Sequence, residues 1–454
     1  MTQEPTFVGG LESDGLPLHG YKQPLLMLTS NPLITERSVN PFHPSGSLYI
    51  FPVESANLLH LLWKAKPPTV ARELIEENAD VYSIDVLRIG PSRTAKQNHI
   101  TILISAVRSE NPKTNWSSVL TSFHSSCAKE GMPPIDVAVK KVEHPESSPV
   151  QLSTPYPKSA FMGASIGNGK SETAQTLGGY VNLFTMRGRG RKLLAGLTTH
   201  DIISNEQTIN IRSGPNNNVV ISCPAVADSI VTKDKLMERF QTQNGALRAI
   251  ESRAAMIPPS QYTDDLLGEW LHARLKHDET ESEIAQTRNF CDHLGTVLGA
   301  SGPVISRDRR FISWALIKID EDRMARNQLP GTHDRLYLPT FLIPGRQVKK
   351  IGRSTNRTSG EMNSIDSFVR PDGFDGYDDF AMQRCVVNTY DALVRPGDNG
   401  SWLVDPTGQV GAVITGLNGF HIAYATDMAL IFPNIEDDTG YKVFLPYPLR
   451  VIGG

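Results

Sequence analysis

The residues of this chain with the types needed for acyl-transfer chemistry gather in a late turn, Gly397-Asp398-Asn399-Gly400-Ser401, and at a distant histidine, His200. That chemistry needs a hydroxyl nucleophile, a base within hydrogen-bond reach, a carboxylate that fixes the base's tautomer, and N–H groups aimed at the oxyanion. The centre of the turn is an amide, Asn399, with a hydroxyl, Ser401, two residues on. An amide is a poor nucleophile and has no proton that an imidazole usefully removes. A lone histidine also has a plainer reading, as a satisfied core or surface residue.

Three other segments invite a chemical reading and fail on spacing. Gly163-Ala164-Ser165-Ile166-Gly167-Asn168-Gly169-Lys170-Ser171 looks like a phosphate loop, but Gly163 lies one residue too far from Gly169-Lys170-Ser171. It also runs on to Gly178-Gly179 and not into a helix, so it reads as a loop between strands. Asp372, Asp375, Asp378 and Asp379 fall mostly three apart, whereas the ligands of a calcium loop fall two apart, so no metal is expected. Arg187-Gly188-Arg189-Gly190-Arg191-Lys192 reads as a solvated hairpin tip, with an acidic-partner contact as its sharper alternative. No cofactor is expected.

Composition bounds the setting. The chain has 454 residues, enough for two or three domains, with 39% hydrophobic residues and a formal net charge of -3. Nothing in that balance favours nucleic acid or an anionic membrane. No apolar run reaches the length of a membrane span. The start, Met1-Thr2-Gln3-Glu4-Pro5, lacks the pattern of a secretory signal. Cys127, Cys223, Cys291 and Cys385 are widely separated, which suits a reducing compartment, so an intracellular protein is expected.

The elements that position the candidate residues follow from periodicity. Residues 1–45 are rich in Pro, Gly and Ser and read as an extended arm. Residues 46–150 read as a small α+β domain with a strand-strand-helix-strand core: Val81 to Ile89, His99 to Val107, a helix opened by Asn115, and Ile135 to Val142. A Pro/Ser-rich loop, Pro145 to Pro157, marks a boundary. From Ala160 short apolar strands alternate with glycine turns, the texture of an all-β barrel, and these include Thr208 to Ile211. A helical hairpin is expected within 228–299: Leu236, Phe240, Leu247, Ile250 and Ala254 share one face, Pro258-Pro259 breaks the first helix, and Ile284 to Leu298 continues or replaces the second. Strand texture returns at Phe311 and persists to Ile452.

In order along the chain, four segments resemble those of trypsin-like serine peptidases. Leu197-Thr198-Thr199-His200 resembles the strand that carries the family's histidine, after Ala164-Ser165-Ile166-Gly167 and Gly178-Gly179-Tyr180-Val181. Ser313-Trp314-Ala315-Leu316-Ile317 resembles the aspartate strand, with serine in place of the acid. Val348-Lys349-Lys350-Ile351-Gly352-Arg353-Ser354-Thr355-Asn356-Arg357-Thr358-Ser359-Gly360 resembles a hairpin of the second barrel. The Gly397–Ser401 turn resembles the Gly-Asp-Ser-Gly nucleophile turn, with Asn399 in place of the serine. Together these matches cover roughly residues 160 to 420. Leu294 to Gly302 points to the intracellular fungal members.

The resemblance implies a mainly β fold: a chymotrypsin-like double β-barrel, 155–325 with the helical insertion and 326–454, after the α+β domain. It implies His200 at the base position, Ser313 at the acid position, and Gly397 and Asn399 N–H groups as oxyanion donors. Asp398 is expected to support that loop and Leu393 to lie at the base of the specificity pocket, with a packed core leucine as its plainer reading. Two of three catalytic residues are replaced, so the implied function is an inactive homologue that binds peptide or protein, without nucleic acid or membrane. The alternative is an active endopeptidase that uses His200 with Asp308 or Asp320 and a hydroxyl such as Ser401.

Overall fold

The computed structural model of the protein describes residues 6–7, 25–30, 48–65, 69–77, 80–107, 115–133, 135–142, 149–150, 156, 158–169, 174–185, 192–203, 219–329, 336–371, 380–419 and 421–446. The expected strand at 208–211, the basic tip at 187–191 and the Asp372–Asp379 loop lie outside these residues.

The fold is mainly β, a double barrel of the expected type with a helical hairpin and an N-terminal α+β unit. Six strands close the second barrel. Gln347–Gly352 pairs Asn356–Met362, then Ala381–Val387, Ile422–Asp427, Gln409–Leu417 and Trp402–Val404, which returns to the first. The first barrel unit is an eight-stranded sheet around Ile166, Leu177, Tyr180, Ile221 and Ile317. Between the two units lies a shared core of Leu197, Trp314, Trp402 and Val413.

The N-terminal unit has the expected strands Val81–Gly90, His99–Val107 and Asp136–Val142, the last two parallel. Parallel pairing needs a crossover, which the helix Trp116–Lys129 supplies. Period-two alternation gives this sheet two faces. Ile84, Val86, Ile102, Ile104, Val137 and Val139 pack under three helices, α1 (Leu58–Ala65), α2 (Thr69–Glu77) and α3 (Trp116–Lys129).

The other face differs from a solvated one. Ser83, Asp85, Thr101, Ser105 and Lys140 are all buried, because this face lies on the second barrel. There Asn418 Nδ2 is 2.8 Å from Asp85 Oδ2, 2.8 Å from Ser105 Oγ and 3.0 Å from Ser83 Oγ, and Tyr424 Oη donates to Asp85 at 2.9 Å. Burial raises the Asp85 carboxyl above its ordinary value and lowers the Lys140 ammonium to about 8, with Asp85 opposing the latter shift. The sheet is also continuous with the barrel, since Val81–Gly90 pairs Ser367–Val369, which pairs Ala381–Val387. The α+β unit therefore joins the barrel farthest from it in sequence.

Four expectations about elements are corrected. Within the expected extended arm, Leu25–Thr29 is a strand paired with Asp136–Val142. The helical insert ends earlier than 299: α4 (Val226–Ala255) and α5 (Asp264–Arg288) form it, and His293–Ala300 is a strand. Gly295 decides this, because a side chain there would collide with the Lys318 carbonyl of the neighbouring strand. Strand texture does not persist to the end: α6 (Met428–Thr439) intervenes, with Met428, Ile431, Phe432 and Ile435 buried at helical spacing. Finally, 326–454 is not wholly second barrel, because Tyr441–Phe444 pairs Gly179–Thr185 of the first sheet.

The polar seam yields a test. Asn418→Ala leaves the buried Ser83, Asp85 and Ser105 groups without their shared donor, so it is expected to cost about 1–3 kcal/mol of stability, read by denaturant titration. An unchanged midpoint would remove the seam from the account of how the N-terminal unit is held.

Candidate active-site cleft

His200 sits where strand register sends it. The strand Lys192–Thr198 pairs Ala315–Ile319 with Thr198 opposite Ala315, and continuing that register by two residues brings His200 opposite Ser313. Thr198 and Thr199 fix the strand's end, donating to Thr176 O at 2.8 Å and Gln175 Oε1 at 3.0 Å. His200 then begins a short 3₁₀ segment, His200–Ile203, and is 8% exposed.

Ser313 contacts His200 through the wrong atom for a catalytic acid. Its hydroxyl accepts from the His200 main-chain N–H at 3.0 Å. The imidazole Nδ1 is buried without a partner among the described residues. This bond anchors the His200 main chain, and among the described residues none fixes the tautomer of its ring. Burial accordingly pushes the His200 pKa below its ordinary value.

The turn from the second barrel is docked onto the first. Thr176 N–H donates to Asn399 O at 3.1 Å, and Thr176 Oγ1 donates to Gly397 O at 2.8 Å. Gly397 and Gly400 both take φ +92°, and a side chain on Gly400 would strike Thr176 and Thr198. The Asn399 side chain reaches the first barrel: its Nδ2 donates to Asp201 Oδ2 at 3.0 Å. Among the described residues no donor reaches the buried Asn399 Oδ1. The structure thus brings together the His200, Ser313 and Asn399 positions, and adds Asp201. Among the described residues no hydrogen bond engages the Gly397 or Asn399 N–H.

Asp398 anchors this turn from below. Its carboxylate accepts from the N–H groups of Ser354 at 2.8 Å and Arg395 at 3.0 Å, and from Thr355 Oγ1 at 2.6 Å. Lys350 Nζ completes the set at 2.9 Å, and both side chains are fully buried. Burial pulls the Lys350 pKa below its ordinary value, and Asp398 opposes that. A second buried pair lies beside it. Arg353 donates to Asp228 at 2.6 and 2.5 Å, and Asp228 also accepts from Val150 N–H at 2.8 Å and Ser165 Oγ at 2.6 Å. This pair joins the first turn of α4 to the second barrel. Gly397 has to be glycine here, since a side chain would collide with Arg353.

The remaining sequence candidates fall elsewhere. Leu393 does not open onto a specificity pocket. It is fully buried in the second barrel's core with Val348, Met362 and Val386. Ser401 is fully buried and donates to Asp398 O at 2.6 Å, so its hydroxyl is not presented to the cleft. Asp308 is exposed in the turn between Ser306 and Arg310, and Asp320 is exposed and bound to His293 at 2.9 Å. Sequence reasoning missed Asp201, Lys350 and the Arg353–Asp228 pair. Asp201 was visible as the neighbour of His200, but its partner lies almost two hundred residues away.

No family model matches the chain, and no curated protein matches it. Similar solved structures include Thermobifida fusca protease A, with 11% identity over 63% of this chain and 100% of that one at a TM-score of 0.34. A glutamic acid specific serine protease is 12% identical over 63% of this chain and 100% of that one, with a TM-score of 0.32. A Nocardiopsis protease is 9% identical over 63% and 98%, with a TM-score of 0.33. These values are low, and the positions assigned above rest on the strand registers and hydrogen bonds of this chain.

Two predictions come from these geometries. Lys350→Met leaves Asp398 buried without its cation, and the expected loss is about 3–5 kcal/mol in denaturant titration, with partial recovery in K350M/D398N. An equally stable single variant would remove the ion pair as the turn's anchor. His200 carries a depressed folded pKa, as does buried His421, so the unfolded chain binds protons that the folded chain refuses. Stability is therefore lost as pH falls through the ordinary value of 6.5. In His200→Gln the slope of stability against pH is expected to shrink in that window, and an unchanged slope contradicts the assignment.

Proposed function

We propose that the chain is a catalytically inactive serine-peptidase homologue that acts as a peptide- or protein-binding, regulatory module. The observation that carries this reading is Asn399: the turn that faces His200's strand holds an amide, and that amide is engaged with Asp201 at 3.0 Å. Loss of the serine from a working triad lowers turnover by on the order of 10⁶. The Ser313 hydroxyl carries no charge to stabilise imidazolium, and it is already committed to the His200 main chain.

What the cleft retains supports binding. The Gly397 and Asn399 N–H groups have no partner among the described residues, and the Asp398–Lys350 pair holds their turn from a buried position. Two fixed donors at a helix-free turn suit a peptide carbonyl, which accepts without being attacked. Assignment to the intracellular fungal branch rests on the Leu294–Gly302 segment and on four separated cysteines. The alternative, an endopeptidase with a rearranged site, finds little support in Ser401, Asp308 or Asp320, whose partners are described above.

The test is activity gained and activity absent. The native chain is expected to leave casein intact and to take no label from a fluorophosphonate probe. The double variant Asn399→Ser with Ser313→Asp restores a hydroxyl and an acid at the two positions, and is expected to take label at position 399. Histidine-dependent cleavage or serine labelling in the native chain would sink the proposal.

A further inference from the structure

The peptide planes that run from Pro396 to Gly400 alternate in how they are held. The Gly397–Asp398 plane is bonded at both ends: Gly397 O accepts from Thr176 Oγ1 at 2.8 Å, and Asp398 N–H donates to Arg395 O at 3.0 Å. The Asn399–Gly400 plane is bonded at both ends too. Asn399 O accepts from Thr176 N–H at 3.1 Å, and Gly400 N–H donates to Ile414 O at 2.9 Å. The planes between them, Pro396–Gly397 and Asp398–Asn399, are held at the carbonyl end alone. Among the described residues their N–H groups make no hydrogen bond.

A serine hydroxyl holds each of those two carbonyls. Ser354 Oγ donates to Pro396 O at 2.6 Å, and Ser401 Oγ donates to Asp398 O at 2.6 Å. A trans peptide is planar, so its C=O and N–H point opposite ways, and a bond that fixes the oxygen aims the N–H. Each hydroxyl is itself constrained. Ser354 Oγ accepts from Arg353 Nη1 at 3.2 Å, which leaves its proton for Pro396 O, and Asp228 at the root of α4 pins that guanidinium. Ser401 is fully buried, and its main-chain N–H donates to the same Asp398 O at 3.0 Å. That bond closes a turn with Gly400 in third place at φ +92°, near type II geometry. Glycine at 397 leaves the Pro396–Gly397 plane free to rotate, and asparagine at 399 also tolerates left-handed backbone. The hydroxyls therefore choose between orientations that the backbone alone leaves open.

We propose that Ser354 and Ser401 are positioning residues of the candidate site, Ser354 aiming the Gly397 N–H and Ser401 the Asn399 N–H at a bound carbonyl oxygen. This role rests on the reading of those N–H groups as the donors of the site. It uses the proton of Ser401 and not its nucleophilicity, which accounts for a buried hydroxyl beside the turn.

The experiment reads the direction of each N–H in the full chain by residual dipolar couplings. Asp398-Asn399 is the one Asp-Asn pair in the sequence, so carbonyl-labelled aspartate with nitrogen-labelled asparagine yields a single signal, the Asn399 amide. Pro-Gly occurs three times, and the Gly397 signal is the one lost in Pro396→Ala. Ser401→Ala is expected to change the Asn399 coupling in size or sign, and Ser354→Ala the Gly397 coupling, while the other two Pro-Gly amides keep their values. Ser354→Thr keeps the hydroxyl and is expected to retain the native Gly397 coupling. A native Asn399 coupling in Ser401→Ala, or a native Gly397 coupling in Ser354→Ala, overturns the proposal. It does so even where the thermal midpoint falls, because the hydroxyl then stabilises without aiming. The casein and fluorophosphonate assays test the inactive-homologue reading separately, so either can fail without the other.

Discussion

A single buried carboxylate, Asp398, determines what the cleft can be. A charge with no exposed surface is stable only when a counter-charge and several hydrogen bonds surround it, and Lys350, Thr355 and the Ser354 and Arg395 N–H groups supply both. Because these partners come from the hairpin at 350–355 and from the residues just before the turn, Asp398 ties two loops of the second barrel into one unit. The conformation of Gly397 to Gly400 follows from that tie. Thr176 then fastens the finished turn to the first barrel through two main-chain carbonyls. The alignment of the two barrels across the cleft is thus set by a handful of bonds around one acid.

The same physics recurs wherever this protein buries polarity. Asp228 neutralises Arg353 at the root of the hairpin, and Asp85 gathers Tyr424 and Asn418 at the seam with the N-terminal sheet. Each network joins elements far apart in sequence, and each is nearly saturated with hydrogen bonds. Apolar packing brings those surfaces together without choosing their register, whereas a buried acid with directional partners accepts one register only. Among the described residues the exceptions include His200 Nδ1 and Asn399 Oδ1 at the candidate site and Asn418 Oδ1 at the seam, all buried and unmatched.

Local patterns in the sequence were enough for the strands of the N-terminal unit and for the helical hairpin, which depend on alternation and helical spacing. The expectation that His200, Ser313 and Asn399 share one place came instead from the resemblance of four ordered segments. What escaped depends on long-range partners. Nothing near Lys350 in sequence marks Asp398 as its partner, and Leu393, expected at the base of a pocket, lies in the core of the closed barrel. Ser83, Asp85 and Ser105 alternate with apolar residues as a solvated face would, and only the docked barrel turns that face inward. The α6 helix was legible in Met428, Ile431, Phe432 and Ile435, with Gly440 as its left-handed terminus, but strand expectations from the flanking segments overrode it.

The strand Tyr441–Phe444 closes the edge of a sheet by pairing with Gly179–Thr185, made more than two hundred residues earlier. A nascent chain emerging from the ribosome therefore cannot complete its first barrel until residues 441–444 have been synthesised. The N-terminal sheet is in the same position, since its polar face waits for residues 367 to 424. Until then both half-built sheets leave strand edges unpaired, which is the condition under which incomplete chains associate with one another.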